Sequence, residues 1–98
     1  MPSSVQRLTL ALIARVPIEG VLDFQAYEAR VLPRLEVHGG TLERRLRMAD
    51  GSVELHIVSF PDDAALASFR ADPERARSTP LLESSGARME VLTLEDVT

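Results

Sequence analysis

The dipeptide Asp50-Gly51, which stands between two runs of strand-forming residues, constrains the fold of this chain more than any other local feature. Asp-Gly between two strands is typical of a β-hairpin with a two-residue type I′ turn. If these two residues form the turn, the register of the hairpin is determined, because pairing proceeds outward one residue at a time on both strands. The predicted pairs are Met48 with Val53, Arg47 with Glu54, Leu46 with Leu55, Arg45 with His56, Arg44 with Ile57 and Glu43 with Val58.

The two faces of this predicted hairpin differ in polarity, because successive residues of a strand point to opposite faces. One face is apolar apart from Arg44 and contains Met48, Val53, Leu46, Leu55 and Ile57. The other face contains Arg47, Glu54, Arg45, His56, Glu43 and Val58. An apolar face of a sheet must pack against other side chains. We therefore expect helices to cover the apolar face and the face of His56 to remain open.

Hydrophobic periodicity predicts the first strand and the first helix. Residues 8–16 alternate between a strongly apolar set and a mixed set, which indicates a central strand. Apolar residues at intervals of three and four then predict a helix: Phe24, Tyr27, Val31 and Leu35. This helix ends at His38, with Gly39 as its left-handed terminator. Pro33 predicts a kink near residues 30–32 and not two separate helices, since proline removes one hydrogen bond and clashes with the preceding turn.

The rest of the chain continues with helices and a last strand. A second helix begins after Pro61 and ends at Asp72-Pro73, and residues 74–85 predict short helical turns that restart at Pro80. Residues 89–94 predict the last strand. The element order β-α-β-β-α-β, combined with right-handed crossovers, predicts a ferredoxin-like α+β fold. Its four-stranded antiparallel sheet has the order 4-1-3-2, with two helices on one face.

A chain of 98 residues holds one hydrophobic core. We expect a single ferredoxin-like domain over residues 1–98, ordered from about residue 5 to about residue 95. Residues 8–14 could be mistaken for a signal peptide, but only Arg7 precedes them and Arg15-Val16-Pro17 follows where small residues should stand. No stretch approaches the ~20 apolar residues of a membrane span. We therefore expect a cytoplasmic protein without membrane contact.

Composition excludes several kinds of chemistry. The chain has no Cys, Lys, Trp or Asn, and its positive side chains are 11 arginines besides two histidines. Thiolate catalysis, Cys-based metal centres and lysine Schiff bases are therefore excluded. The net charge of −4 argues against nucleic acid as a partner. Because the chain has neither the residue spacing of a metal site nor a Gly-rich phosphate loop, we expect no metal and no cofactor.

Five short motifs occur in one order over residues 8–94. They are Tyr27 with Leu32-Pro33, His38-Gly39-Gly40, Val58-Ser59-Phe60-Pro61, Ala64-Ala65-Leu66 and Asp72-Pro73-Glu74. On these motifs the chain resembles small bacterial domain-of-unknown-function proteins of the dimeric α+β barrel superfamily. The resemblance implies a homodimer, in which two open sheet faces pack together around a partly polar cavity. The superfamily includes isomerases, cofactor-free monooxygenases and haem-degrading enzymes, but the Asn and Trp that the last two use are absent here.

His56 is the strongest candidate for a catalytic residue, because histidine normally titrates near neutral pH. On the expected open face, Arg45 lies opposite His56 and Arg15 lies on the neighbouring strand, so two guanidinium groups could bind an anionic substrate. Tyr27 could place its hydroxyl at the mouth of the same cavity. The alternatives are interface ion pairs for His56 and the arginines, and a core position for Tyr27. His38 is a weaker candidate, since the helix dipole alone favours a histidine in the last helical turn.

Two functions remain open. The first is a small cofactor-independent enzyme, or a binder of a small organic molecule such as an acid, with its cavity at the open sheet face. The second is a non-catalytic homodimer with a scaffold or regulatory role. A pocket of roughly 300 Å³ or more at the open face favours the first function. Tightly packed charge pairs there favour the second.

Overall fold

The computed structural model describes residues 7–97 of the chain. The expected tail at residues 1–4 lies outside the described residues. Within the described range the elements are β1 (Leu8–Arg15), α1 (Val21–Val31), α2 (Arg34–Val37), β2 (Thr41–Arg47), β3 (Val53–Phe60), α3 (Asp63–Arg70), α4 (Pro73–Ser85) and β4 (Arg88–Leu94). A 3₁₀ turn over Ile18–Gly20 leads into α1.

The four strands of the described residues form one antiparallel sheet in the order β2-β3-β1-β4. This order is the predicted 4-1-3-2 counted from the other edge, so the predicted ferredoxin-like α+β fold is confirmed. β1 occupies a central position and pairs with both β3 and β4. Its alternating apolar residues suit that place, because Leu10 and Ala14 are buried against the helices.

The hairpin of β2 and β3 keeps the predicted pairs nearest to its turn. Arg47 lies opposite Glu54, Leu46 opposite Leu55, and Arg45 opposite His56. A β-bulge at Glu43 then shifts the register, so that Val58 pairs with Leu42 and not with Glu43 as predicted. An extra residue in one strand makes the side chains beyond it point to the opposite face of the sheet. The bulge therefore turns Leu42 toward the helices, where it packs in the core.

The turn between these strands is not of the predicted type. A type I′ turn needs a positive φ at both central residues, and in this turn only Gly51 has one, at 81°. Instead, the Gly51 N–H donates to the Met48 carbonyl at 2.9 Å, and the Met48 N–H donates to the Val53 carbonyl at 2.9 Å. Asp50 Oδ1 accepts from the backbone N–H and the hydroxyl of Ser52, at 2.9 and 2.6 Å. These bonds keep the predicted register of the two strands, although the loop is wider than the predicted two-residue turn.

Two prolines act differently from the prediction. Pro33 separates α1 from α2, where one kinked helix was predicted, although its own backbone angles stay helical. Pro80 lies inside the continuous helix α4, where short restarted turns were predicted. The Asp72 side chain caps the start of α4, and Gly86 ends the helix with a φ of 71°. Within residues 7–97, no helix has the length and apolar character needed to cross a membrane.

The hydrophobic core lies between the helices and one face of the sheet. One cluster joins β1 to α1 and consists of Ala14, Val16, Phe24, Tyr27 and Val31. The other contains Leu10, Leu35, Val58 and Phe60. The 3₁₀ turn and the end of α4 approach closely at Gly20, where an added Cβ would lie 1.8 Å from the carbonyl oxygen of Ser85.

The helices cover the face of the sheet that was predicted to be open. His56 lies opposite Leu12 of β1 and is 2% exposed. The prediction that His56 points to an uncovered face was therefore wrong. The cause is the register between β1 and β3, which puts His56 beside the residues of β1 that contact the helices. The apolar residues of the hairpin share the uncovered face: Leu46, Val53, Leu55 and Ile57.

Candidate functional site

A buried group of one histidine and two carboxylates lies between α1 and the sheet. Glu28 comes from α1, whereas Glu54 and His56 lie two residues apart on β3 and so share a face. We call these three residues the Glu–His–Glu cluster, and each is at most 3% exposed. Arg45 and Arg47 of the edge strand β2 contact the cluster and have side chains that are 36% and 38% exposed. The two arginines therefore separate the cluster from solvent.

Glu54 accepts three hydrogen bonds from cationic groups. Arg45 Nε and His56 Nε2 each donate to its Oε1 at 2.6 Å, and Arg47 Nε donates to its Oε2 at 2.8 Å. Burial alone would raise the pKa of Glu54, but hydrogen bonds from its neighbours outweigh burial and hold that pKa well below the usual range. Glu54 is therefore ionised at neutral pH and acts as the anchor of the cluster.

The two carboxylates favour the charged form of His56. Burial works against an imidazolium, but the contacts with Glu28 and Glu54 outweigh burial and raise the pKa of His56. An imidazolium carries a proton on both ring nitrogens. The Nε2 proton is therefore donated to Glu54, which lies 2.6 Å away.

Glu28 titrates quite differently from Glu54. Burial is the largest influence and raises the pKa of Glu28 to about 7, although the contact with His56 opposes this rise. Glu28 Oε1 lies 3.1 Å from His56 Nε2 and 3.6 Å from Arg45 Nη2. Even so, no hydrogen bond from the described residues ends on this oxygen. Glu28 is thus a buried carboxyl group that changes protonation near neutral pH and has one oxygen free to accept a proton.

The same three side chains have the donor atoms of a small metal site. One atom from each of Glu28, Glu54 and His56 lies within 4.8 Å of the others. However, the carboxylate of Glu54 already accepts bonds from two guanidinium groups, and the Nε2 of His56 carries a proton. A metal ion would have to displace both kinds of partner. The arrangement is therefore better suited to holding and moving a proton than to binding a cation.

A cavity of about 360 Å³ lies between the helical segment at Pro33 and the edge strand β2. Its lining residues are Leu32, Pro33, Leu35, Glu36, Gly40, Thr41 and Leu42. Leu32 lies one helical turn beyond Glu28, and Leu42 is the helix-facing residue that precedes Arg45 on β2. The cavity and the cluster thus lie on the same, helix-covered side of the sheet, but none of the three cluster residues lines the cavity.

The structure separates the four residues that were predicted to share a site. Arg45 lies opposite His56 as predicted and contacts both Glu28 and Glu54. Arg15 lies on the other face of the sheet, exposed and 3.6 Å from Glu90. The prediction that Arg15 and His56 project from one face is therefore wrong.

Tyr27 lies in the hydrophobic core. A core position was the alternative to the predicted position at the mouth of a cavity. It is 4% exposed, and its ring centroid lies 6.3 Å from that of Phe24. Tyr27 does not line the helix-side cavity. Its ring therefore acts in packing. Of the four predicted site residues, only His56 belongs to the cluster and only Arg45 contacts it.

Sequence reasoning missed Glu28, although the chain carries a signal for it. Glu28 lies four residues after Phe24 and three before Val31, so it falls within the apolar stripe of α1. A carboxylate in such a stripe is buried and needs a partner. Glu54 was interpreted as the cross-strand partner of Arg47, and this pairing is confirmed at 2.8 Å. Its bonds to His56 and Arg45 are what the strand pattern did not show.

The uncovered face of the sheet has a shallow hollow at the hairpin. Its volume is about 240 Å³, and it is lined by Leu46, Arg47, Met48, Val53 and Leu55. This volume is below the roughly 300 Å³ expected of a ligand pocket. The larger of these two cavities lies on the helix side. A small-molecule site is therefore favoured on the face opposite to the one predicted.

Comparisons with known proteins identify the fold. No protein-family model matches the chain, and no curated protein matches it. Among solved structures, an antibiotic biosynthesis monooxygenase superposes with a TM-score of 0.75 at 19% identity, over 93% of this chain and 99% of that one. A conserved protein of unknown function from Bacteroides thetaiotaomicron, described as a possible oxidoreductase, gives 0.74 at 14% identity, over 95% and 100% of the two chains.

A cofactor-independent oxygenase from Streptomyces nogalater has a TM-score of 0.71 at 19% identity, over 93% of this chain and 95% of that one. Similarity at this level of identity shows a common fold and does not transfer an activity. The match covers nearly all of each chain, from the first strand to the last. The chain therefore shares the α+β fold of these proteins, and this is the fold that the resemblance implied.

Proposed function

We propose that the Glu–His–Glu cluster is the active site of a small enzyme that transfers a proton on an organic substrate without a bound cofactor. One observation carries this proposal. Glu28 is buried, its pKa is raised to about 7, and its Oε1 accepts no hydrogen bond from the described residues. A general base works best when its pKa lies near the operating pH. Strongly perturbed carboxyl groups of this kind are concentrated at active sites.

In this mechanism Glu28 removes a proton from carbon or oxygen of the substrate through its free oxygen. The substrate then carries a negative charge, as an enolate or alkoxide. The imidazolium of His56, 3.1 Å from Glu28 Oε1, and the guanidinium of Arg45 stabilise that charge. Glu54 stays ionised because of its hydrogen bonds, so it does not take the proton. It is a positioning residue that holds the guanidinium of Arg45 and the imidazolium of His56 in place.

The helix-side cavity and Arg45 together favour a substrate with an apolar body and an acidic or enolisable group. Leucines provide much of the cavity lining, at positions 32, 35 and 42. Arg45 contacts the cluster and is also partly exposed, so it can reach an anionic group that enters from solvent. The solved structures with this fold include a cofactor-independent oxygenase. This supports chemistry without a cofactor but leaves the substrate of this chain as a proposal.

We also propose that the protein is a homodimer formed through the uncovered sheet face. This face carries large apolar side chains that are partly exposed, among them Leu46, Leu92 and Leu94 at 43%, 40% and 41%. Contiguous apolar surface of this kind marks an interaction site. A second copy of the chain would cover it with a surface of the same character. The cytoplasmic location expected from the sequence is retained as part of this proposal.

Hydrogen–deuterium exchange at carbon tests the enzymatic function directly. An aromatic 1,3-diketone is the probe, since it has an apolar ring and an acidic C–H bond. The wild-type protein should accelerate deuterium incorporation in D₂O, measured by NMR, and the rate should rise as the pH passes through about 7 and Glu28 ionises. Glu28→Gln should lower the catalysed rate by about 100-fold or more, because an amide is not a base at this pH.

The matched control is Glu74→Gln, which changes an exposed carboxylate of α4, outside both the cluster and the uncovered sheet face. This variant should exchange deuterium at the wild-type rate. If Glu28→Gln and wild type accelerate exchange equally, Glu28 is not the base. Absence of any acceleration above buffer, with both proteins folded by circular dichroism, would favour the purely structural role of the cluster in a scaffold protein.

A further inference from the structure

We propose that Ser68, His38 and Asp72 form a second reactive site, in which the Ser68 hydroxyl is a nucleophile that is acylated by small activated esters. The three residues come from three helical segments. Ser68 lies in α3, His38 caps the end of α2, and Asp72 caps the start of α4. This site shares no residue with the Glu–His–Glu cluster.

The three side chains form a continuous chain of hydrogen bonds. His38 Nε2 lies 2.6 Å from Asp72 Oδ2, and His38 Nδ1 lies 2.6 Å from Ser68 Oγ. Both distances are those of strong hydrogen bonds. A serine hydroxyl bound to a histidine, which is itself bound to a buried carboxylate, is the arrangement that activates serine nucleophiles. In the usual arrangement Nδ1 bonds to the carboxylate and Nε2 to the serine. In His38 the two nitrogens have the opposite partners, but the proton still passes from the Ser68 hydroxyl to the imidazole.

Asp72 determines which nitrogen of His38 carries the proton. Its side chain is 0% exposed, its Oδ1 accepts from the Glu74 backbone N–H at 2.7 Å, and its Oδ2 accepts from Arg34 Nε at 2.9 Å. Burial opposes ionisation, but the bonds from His38 and Arg34 outweigh it and lower the pKa of Asp72. An ionised carboxylate only accepts hydrogen bonds, so His38 Nε2 is the donor. In neutral His38, Nδ1 is then the bare nitrogen that can take the Ser68 proton.

The position of the site keeps the base in place and the nucleophile accessible. The His38 ring packs edge-on against Phe69, with centroids 6.1 Å apart and an interplanar angle of 68°. This contact and the bond to Asp72 hold the imidazole from two sides. Ser68 is exposed on the helical surface, so a small ester can reach its hydroxyl.

The reaction balances without any further reagent. Ser68 Oγ attacks the ester carbonyl carbon and forms a new C–O bond, while its proton passes to His38 Nδ1. The C–O bond to the leaving group breaks, and His38 returns the proton to the departing phenoxide. Water then hydrolyses the acyl-serine by the same path. The Ser68 backbone N–H is used within α3, so the helix provides no oxyanion hole, and we expect reaction only with good leaving groups and slow turnover.

Ser84 provides a matched comparison within the same molecule. It is also exposed, and its hydroxyl donates to a carboxylate, Asp23 Oδ2, at 2.7 Å. No histidine contacts Ser84 in the described residues. If exposure and a nearby carboxylate were enough for reactivity, Ser84 would react as Ser68 does. If the histidine is required, only Ser68 should react.

The test uses p-nitrophenyl acetate with the full chain. Wild type should release a burst of p-nitrophenol stoichiometric with protein, and mass spectrometry of peptides should place the acetyl group on Ser68. His38→Gln should slow acylation by about 100-fold or more, since it removes the general base. Ser68→Ala should abolish the burst, and Ser84→Ala should leave it unchanged. Thermal melts of each variant establish that it is folded.

Two outcomes would overturn the proposal. In the first, Ser68→Ala retains the burst, which would mean that His38 or another group is acylated directly. In the second, wild type shows no burst and no acetylated Ser68, which would mean that the hydrogen-bond chain only joins the three helical segments. Labelling of Ser84 to the same extent as Ser68 would also count against a role for His38.

Discussion

Leu12 of β1 lies opposite His56 of β3, and this pairing decides which face of the sheet carries the candidate active site. Leu12 packs against the core cluster beneath the helices. His56 must therefore also point toward the helices, where Glu28 of α1 meets it. The polar cluster is consequently enclosed between α1 and the sheet, and the apolar face of the sheet is left uncovered.

The pH dependence of stability should reveal Glu28. Its pKa rises from 4.5 to about 7 on folding, so the folded protein binds this proton more tightly than the unfolded chain does. The resulting stabilisation is fully present below about pH 4.5 and is lost as the pH rises through about 7. We expect a loss of about 3 kcal/mol in the free energy of unfolding across this range.

Glu28→Gln should remove most of this loss, because an amide does not titrate. Urea denaturation at a series of pH values gives the free energy of unfolding of wild type and variant. The contribution of Glu28 is the difference between the two curves. The raised pKa of His56 acts in the same direction, since its stabilisation is also lost as the pH rises. Parallel curves for the two proteins would contradict the buried titration of Glu28.

Glu54→Gln should destabilise the protein strongly. The substitution leaves the buried imidazolium of His56 without its charged partner and weakens the bonds of Arg45 and Arg47. Breaking a buried ion pair from one side costs about 3 kcal/mol or more. The control is Glu74→Gln, whose pair with Arg77 on α4 is exposed by 48% and 69% and should contribute less than about 1 kcal/mol. Equal effects in chemical denaturation would contradict the anchoring role of Glu54.

Gly20→Ala should disturb the approach of the 3₁₀ turn to α4. The new Cβ would lie 1.8 Å from the Ser85 carbonyl oxygen, and a backbone atom cannot rotate away as a side chain does. We expect a cost of about 3 kcal/mol. Gly39→Ala is the comparison, because its Cβ would meet only Pro61 Cγ at 3.4 Å. The strain of its positive φ should cost about 1 kcal/mol, so thermal melts should rank Gly20→Ala as the less stable variant.

Ile57→Asp should dissociate the proposed dimer, because it places a charge at the centre of the uncovered apolar face. A stable interface of this kind should bury at least about 1,200 Å² in total. Analytical ultracentrifugation should show a dimer for wild type and a monomer for this variant. Leu22→Asp changes an 80% exposed residue of α1 and should remain dimeric. A wild-type monomer at micromolar concentration would refute the dimer.

Local chemistry in the sequence was enough to predict the order of strands and helices and much of the hairpin register. The alternation of β1, the Asp50-Gly51 turn and the stripe of α1 each depend on neighbours within a few residues. Even a wrong turn type left Arg45 opposite His56, because the same backbone pairs continue from a slightly wider loop. The bulge at Glu43 was not predicted, since no local residue pattern indicates it.

The face on which the site lies was decided only by tertiary structure. Alternation along β3 shows that His56 and Ile57 point to opposite faces, but it does not show which face the helices cover. Polarity suggested the wrong answer, because it assumes that polar side chains avoid the interior. Here Glu28 arrives from α1, and Glu54, Arg45 and Arg47 satisfy the charges at close range. Partners that lie far apart in the chain compensate the burial of His56, and that compensation exists only in the folded protein.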